Sequence, residues 1–188
     1  AGHNFHFGVR EHGMGSILNG ITLYGGFVPF GATFLVFADY MRPPIRLASM
    51  MKLPVIYVFT HDSIFVGEDG PTHEPVEQIA SLRLIPGLTV IRPADAPEVA
   101  AAWAYALRHQ QGPTALILTR QNVPAIARQA TFSQEAFDRG AYVVAETEGQ
   151  PPEVVLVGTG SELHLAVAAR AALEQAGYAV RVVSMPSR

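Results

Sequence analysis

The stretch PVIYVFTHDS at residues 54–63 decides the fold, because six apolar residues run directly into four polar ones. Runs of the same kind recur at residues 88–91, 115–118, 154–157 and 180–183. A strand that is apolar on both faces is typical of a parallel sheet buried between helices. The sequence therefore predicts five such strands.

Helical patterns separate these strands. The first is expected over residues 11–23. A second begins after Asp95, a good N-cap with Glu98 three residues later. A third covers residues 163–176 and ends at Gly177. Alternating strands and helices predict an α/β fold, with a parallel sheet flanked by helices.

The polar stretch at residues 130–150, which precedes Pro151-Pro152, is expected to be irregular and to mark a domain boundary. We place one domain at residues 1–145 and an incomplete second α/β domain, a single βαβ unit, at residues 146–188. The chain lacks an initiator Met and stops just after a predicted strand, so we expect it to be a fragment.

Composition excludes several classes of protein. The chain has 188 residues, 49% hydrophobic and 15% charged, and its net charge of −3 gives no nucleic-acid footprint. It has no cysteine, which excludes disulfides and cysteine-bound metal. No apolar run reaches the length of a membrane span.

Three polar clusters are candidates for chemistry: residues 10–12 at a helix start, residues 60–63 continuing through 67–73, and residues 119–122. The last two follow strands directly, and ligands of open parallel sheets bind beyond the carboxyl ends of strands. Structural roles remain open for each candidate. Glu11 could complement a helix dipole, and Arg120 could form a surface ion pair.

The same alternatives apply to the other candidates. His61 and His73 could be caps, and the spacing of Phe34, Phe37 and Tyr40 by three is more often the core face of a helix. The loop at residues 158–161 lacks the third glycine of a dinucleotide fingerprint. His61, Asp62 and His73 match no metal-ligand spacing, so no metal site is predicted in this chain.

The motifs GVREH at 8–12, THDS at 60–63, GEDGPTHEP at 67–75, IRPAD at 91–95 and TRQN at 119–122 occur together in one order and spacing. In these motifs the chain resembles the transketolase family from residue 4 to residue 186. The resemblance implies the pyrimidine-binding domain of the thiamine-diphosphate-binding fold, followed by the start of the C-terminal domain.

The resemblance also implies the activity and the partners. Transketolases transfer a two-carbon ketol unit from a ketose phosphate to an aldose phosphate in the pentose phosphate pathway. They use thiamine diphosphate and a divalent metal such as Mg²⁺, and they are homodimers. The diphosphate-binding domain and its metal ligands are not in this chain, so we expect the chain alone to be inactive. A cytoplasmic location is the default expectation.

Site residues follow from the resemblance position by position. Glu11 matches the carboxyl that bonds the aminopyrimidine ring and favours its imino form, and Phe34, Phe37 and Tyr40 match the pocket that stacks on that ring. Substrate-binding positions are implied for four residues: His61, Asp69, His73 and Arg120. Arg120 suits a sugar phosphate because its guanidinium is a planar fork of donors. His73 is also expected to exchange a proton near the reacting carbonyl.

Two alternatives stay open. One is another thiamine-diphosphate enzyme, such as a deoxyxylulose-phosphate or dihydroxyacetone synthase. The other is a non-catalytic assembly fragment that only binds a partner subunit.

Overall fold

A computed structural model of the chain describes residues 4–129 and 132–187. The chain divides into two compact units. The first unit contains the residues up to Val90 together with Ala106–Arg120, and the second contains Ile91–Tyr105 together with the residues from Gln121 onward.

A four-stranded sheet in the order β1-β2-β4-β3 organises the first part of the chain. Its strands are β1 (Phe30–Phe34), β2 (Ile56–Asp62), β3 (Thr89–Ile91) and β4 (Thr114–Thr119). The helices of this part are α1 (Glu11–Tyr24), α2 (Ala38–Met50) and α3 (Gln78–Arg83). The helix α4 (Ala96–Arg108) follows β3, and most of its residues belong to the second unit. Two 3-10 helices, Leu35–Phe37 and Ile64–Asp69, follow the carboxyl ends of β1 and β2.

The core of the first unit lies where α1 and α2 pack on each other and on the sheet. It includes Leu18, Leu35, Met41, Ile45, Tyr57, Phe59 and Ile117, all at most 2% exposed. The helices approach closely at Gly15, where a Cβ atom would lie only 2.9 Å from Pro44 Cγ. Asn19 adds a buried hydrogen bond to the Pro44 carbonyl oxygen at 2.9 Å. This packing fixes α1, and with it the position of Glu11 at its first turn.

Strand register determines which side chains lie at the carboxyl edge of the sheet. β1 and β2 are parallel, with Phe34 opposite Thr60, and β2 and β4 are parallel, with Asp62 opposite Thr119. The β2–β4 register shifts between Phe59 and Asp62. Three neighbouring strands therefore end at the same edge of the sheet.

The second unit contains a three-stranded sheet in the order β5-β7-β6. Its elements are α5 (Gln134–Asp138), β5 (Tyr142–Glu146), β6 (Val154–Gly158), α6 (Leu163–Gln175) and β7 (Val180–Ser184), with a 3-10 helix at Gly160–Glu162. β6 and β7 are parallel, whereas β5 is antiparallel to β7. Ala94, Val144, Leu163 and Val182 form its buried apolar cluster.

The predicted α/β class, a parallel sheet flanked by helices, is confirmed, and the second unit adds a small mixed sheet. The expectation of an irregular stretch at 130–150 was wrong, because α5 and β5 lie within it. β5 contains the apolar run at residues 142–145, a strand signal that was overlooked because the residues around it are polar. The domain boundary at 145/146 stays a prediction.

Among the described residues, no helix is both long and apolar enough to cross a membrane.

Candidate active site

Three aromatic rings form a continuous stack after β1. Phe34 and Phe37 stack with centroids 6.1 Å apart, and Phe37 stacks with Tyr40 at 6.0 Å. Phe34 ends β1, Phe37 ends the 3-10 helix, and Tyr40 lies in the first turn of α2. The spacing by three therefore does not mark a core helix face. Tyr40 is 63% exposed, so the stack presents aromatic surface to a ligand.

Both predicted histidines join this stack. The His61 ring lies parallel to Phe34 with centroids 3.5 Å apart. His73 meets Phe37 edge-on at 5.6 Å and Phe34 at 6.4 Å. We call these five residues, Phe34, Phe37, Tyr40, His61 and His73, the aromatic–histidine face. It unites residues that the sequence assigned separately to cofactor and to substrate.

A backbone irregularity aims His61 into the face. His61 has φ of 62° and Ser63 has φ of 82°, a region that residues other than glycine seldom occupy. Both lie at the register shift where β2 ends, and bulges of this kind redirect side chains at sites. Ser63, with ψ of 161°, stands in a region that is essentially restricted to glycine. The backbone is therefore strained at His61, a candidate ligand contact, and at Ser63 beside it.

Each histidine is held by the threonine that precedes it. Thr60 Oγ1 lies 2.9 Å from His61 Nδ1, and Thr72 Oγ1 lies 3.0 Å from His73 Nδ1. The hydroxyl groups engage Nδ1, which leaves Nε2 of each ring for a ligand. Thr60 and Thr72 lie in the polar cluster that the sequence indicated, but neither was given a role, although the repeated Thr-His pair was a signal that could have identified them.

Arg120 follows β4 directly and binds two neighbouring carboxylates. Its Nη2 forms an ion pair with Glu68, and its Nε lies 3.4 Å from Asp69 Oδ2. Asp69 Oδ2 is buried and accepts no hydrogen bond from the part of the chain that the structure describes. Arg120 thus forms an ion pair, which was the structural role considered for it from the sequence. One of its partners is Asp69, a predicted substrate-binding residue. Glu68 was not predicted.

Glu11 is the first residue of α1 and is half-buried. Within residues 4–129 and 132–187 its carboxylate has neither a hydrogen bond nor an ion pair, and the structure joins it by no such contact to the aromatic–histidine face. A half-buried carboxylate without a partner is available to a ligand that offers a donor. The described residues contain no group of three or more His, Asp or Glu side chains that could hold a metal ion.

The loop at Gly158–Ser161, set aside as a dinucleotide fingerprint, is occupied by protein. Arg92 Nη1 donates to the Thr159 carbonyl oxygen at 2.7 Å and forms an ion pair with Glu162. A Cβ atom on Gly160 would lie 2.6 Å from Arg92 Cγ. Only glycine fits at residue 160, because a Cβ atom would clash with the Arg92 side chain. Arg92 thus occupies the space beside this loop and leaves none for a phosphate.

Fold and site together define an α/β domain that presents aromatic rings, histidines and an arginine at the carboxyl edge of a parallel sheet. The family model described as "Transketolase, pyrimidine binding domain" matches residues 1–125, and "Transketolase-like TK C-terminal domain" matches residues 140–188. The chain belongs to the transketolase family.

Individual relatives agree with this result. A transketolase of Geobacillus stearothermophilus is 59% identical over 186 residues, which is 99% of this chain and 28% of that protein. The structure of a transketolase from Leishmania mexicana superimposes with a TM-score of 0.90 at 49% identity, covering 97% of this chain and 26% of that one. The chain thus spans little more than a quarter of the length of these relatives.

The match covers a larger share of one shorter relative. The structure titled "Split gene transketolase, inactive beta4 tetramer" is similar at a TM-score of 0.80 and 30% identity, and the match covers 97% of this chain and 57% of that one.

Proposed function

We propose that this chain supplies the pyrimidine-binding side of a transketolase active site, in which a two-carbon ketol unit passes from a ketose phosphate to an aldose phosphate. The observation that carries the proposal is the aromatic–histidine face, since it combines a surface for a flat heteroaromatic ring with two groups that can exchange protons.

Use of thiamine diphosphate follows from the family, and the residues present fit its pyrimidine ring. The stack of Phe34, Phe37 and Tyr40 offers exposed ring surface, and Glu11 offers a carboxylate without a partner among the described residues. The chemistry supplied by the bound cofactor is a carbon nucleophile that accepts the two-carbon unit.

The chain's own residues then have separate roles in the proposal. Glu11 binds a ring nitrogen and holds the proton that favours the imino tautomer. The stacked rings orient the pyrimidine and exclude water, which strengthens that hydrogen bond. His61 helps to hold the phosphate end of the substrate, Asp69 binds a substrate hydroxyl group, and His73 donates or accepts the proton at the substrate carbonyl.

Arg120 is assigned to the substrate phosphate in this proposal, because a guanidinium can donate two parallel hydrogen bonds to phosphate oxygens. Its place beyond the carboxyl end of β4, next to the end of β2, is where α/β sheets bind ligands. Three structures of the family carry titles that name phosphorylated sugars: fructose 6-phosphate, sedoheptulose 7-phosphate and xylulose 5-phosphate complexes from Pichia stipitis.

Assembly with further protein is part of the same proposal. Phe27, Val28 and Phe30 are each more than 50% exposed, and an apolar patch of this kind marks an interaction surface. We propose a homodimer in which the diphosphate-binding region provides the ligands for a divalent metal such as Mg²⁺. The pentose phosphate pathway and a cytoplasmic location belong to the proposal as well.

Donor specificity tests the function. In the active enzyme that contains this chain, a ketose phosphate such as xylulose 5-phosphate should act as donor with ribose 5-phosphate as acceptor, and pyruvate should not. Use of pyruvate as donor would favour a deoxyxylulose-phosphate synthase instead. Transfer to formaldehyde in preference to ribose 5-phosphate would favour a dihydroxyacetone synthase.

Calorimetry with thiamine diphosphate tests the remaining alternative, an assembly module without a catalytic role. The cofactor should bind when the diphosphate-binding region is present and not to the chain alone. If the complete assembly binds no cofactor, the chain is a structural module and the proposed function fails.

A further inference from the structure

Two adjacent carboxylates on one loop bind the guanidinium of Arg120, and only one of them was expected to have a role. Glu68 and Asp69 both form ion pairs with Arg120. One positive charge thus faces two negative charges. A phosphate dianion that approaches Arg120 meets a site whose net charge is already negative, which opposes its binding.

The two carboxylates differ in how firmly they are held. The Glu68 side chain is 79% exposed, whereas the Asp69 side chain is 29% exposed and has a buried Oδ2 atom. Asp69 is therefore part of the site wall, and Glu68 reaches Arg120 from solvent. A carboxylate on the solvent side of a guanidinium occupies the direction from which a phosphate would arrive.

The loop backbone turns sharply on both sides of the two carboxylates, which brings both of them to one arginine. Gly67 has φ of 72° and ψ of −109°, and Gly70 has φ of 78°, so glycines in left-handed conformations flank the pair. A Cβ atom at either glycine would meet no atom within 4 Å. A side chain would find space at both positions, so these glycines are required by the positive φ of the backbone turn.

We propose that Glu68 is a specificity-determining residue that occupies the Arg120 guanidinium in place of phosphate and is displaced when a phosphorylated sugar binds. This rests on the proposed phosphate role of Arg120. The competition lowers affinity for every anion at Arg120, and a sugar phosphate overcomes it because its hydroxyl groups are bound elsewhere at the same time. Small free anions lack that second attachment and are rejected.

The test compares Glu68→Gln with the native protein in the active enzyme that contains this chain. The KM for ribose 5-phosphate should fall roughly two- to five-fold, the range expected for loss of an exposed ion pair. Inorganic phosphate should inhibit more strongly by a similar factor. The kcat, and the KM for unphosphorylated glycolaldehyde, should stay unchanged. The difference between the variants should shrink as salt is raised.

Glu135→Gln is the matched control. Glu135 forms an exposed ion pair with Arg139, so the substitution removes the same charge from the same type of pair. It should leave both KM values and phosphate inhibition unchanged. An equal effect of Glu135→Gln would assign the change to net charge and overturn the proposal.

Two further outcomes separate the inference from the proposed function. A higher or unchanged KM for ribose 5-phosphate in Glu68→Gln would overturn the competition, because Glu68 would then orient Arg120 or do nothing. Arg120→Ala should raise that KM, by a factor on the order of 10 to 100 for loss of a charged hydrogen bond. If Arg120→Ala leaves it unchanged, the phosphate role itself fails.

Discussion

The aromatic–histidine face of the first unit and a buried polar network in the second differ in almost every physical respect. The network joins Asp95 and Glu98 at the start of α4 to Arg128, Tyr142 on β5 and Ser184 on β7. Arg128 donates to both Asp95 oxygens, at 2.8 and 2.9 Å, and to Tyr142 Oη at 2.8 Å. Glu98 Oε1 accepts from Tyr142 at 2.6 Å and from Ser184 at 2.7 Å.

The charges of the network are buried and paired with one another, whereas the face is accessible to a ligand. Asp95 is 2% exposed and Glu98 is 0% exposed, with each charge paired and hydrogen-bonded, and its backbone needs no unusual conformation. The face has one exposed ring, Tyr40, and two half-buried histidines, and the backbone has positive φ values at His61 and at the nearby Ser63. In this chain, buried charges that are paired with one another have a structural role. The candidate ligand site instead combines accessible polar groups with strained backbone.

The largest expected effect concerns the open site. Glu11→Ala in the active enzyme should lower kcat by a factor on the order of 10² to 10⁴, the usual contribution of a group that controls proton transfer. Steady-state assays of ketol transfer measure it, with Glu135→Ala as the control that removes an exposed carboxylate. Turnover close to native in Glu11→Ala would remove Glu11 from the mechanism.

Breaking the closed network should affect stability. Arg128→Ala leaves the Asp95 carboxylate buried without its partner, which costs about 3–5 kcal/mol in the free energy of unfolding. Arg139→Ala breaks only an exposed pair and should cost at most about 1 kcal/mol. Urea unfolding followed by the fluorescence of Trp103, the one tryptophan of the chain, measures both. Equal costs would show that burial of the network does not matter.

Acid should weaken the same network. Burial tends to raise the pKa of Asp95, but hydrogen bonds from Arg128 and from the backbone amides of Ile126 and Glu98 outweigh it, and the pKa lies below its ordinary value of 3.8. The folded protein thus binds this proton less tightly than the unfolded chain does. The stabilisation is complete above pH 3.8 and is lost as the pH falls through the lowered folded pKa.

Unfolding at a series of pH values between 6 and 2 checks this dependence. Asp95→Asn should be less stable at pH 6, because Arg128 loses the carboxylate that accepts two of its hydrogen bonds, and should show a shallower decline in acid. An unchanged slope in Asp95→Asn would mean that other carboxyl groups govern the acid response.

The smallest expected effect tests whether the positive φ of Ser63 lowers the free energy of unfolding. Ser63→Gly removes a hydroxyl that accepts from the Phe65 amide at 3.2 Å, and Ser133→Gly removes one that accepts from the Ala136 amide at the same distance. Ser133 has an ordinary φ of −130°. Both substitutions remove a hydroxyl group, but only Ser63→Gly relieves a positive φ, so it should change the unfolding free energy more favourably, by about 1–3 kcal/mol. Scanning calorimetry measures this difference, and a value near zero would exclude strain at Ser63.

Much of this protein was determined by local sequence. Apolar runs predicted β2, β3, β4, β6 and β7, and the helical periodicity predicted α1, α4 and α6, because burial on both faces and the 3.6-residue period leave direct traces in the residue order. The motifs around Glu11, His61, Asp69 and Arg120 identified the family, which the comparisons confirm.

Tertiary structure decided the rest. The strand β1 (Phe30–Phe34) contains Gly31 and Thr33 and has no continuous apolar run, so its pairing with β2, and not a local pattern, makes it a strand. The stack of Phe34 on His61, the ion pair of Glu68 with Arg120 and the closure of Arg128 on Asp95 all join residues at least 27 positions apart. Sequence determined which chemical groups are present. At the candidate site of the first unit, the parallel register of β1, β2 and β4 decided which of them meet, because only the folded sheet brings distant strand ends to one edge.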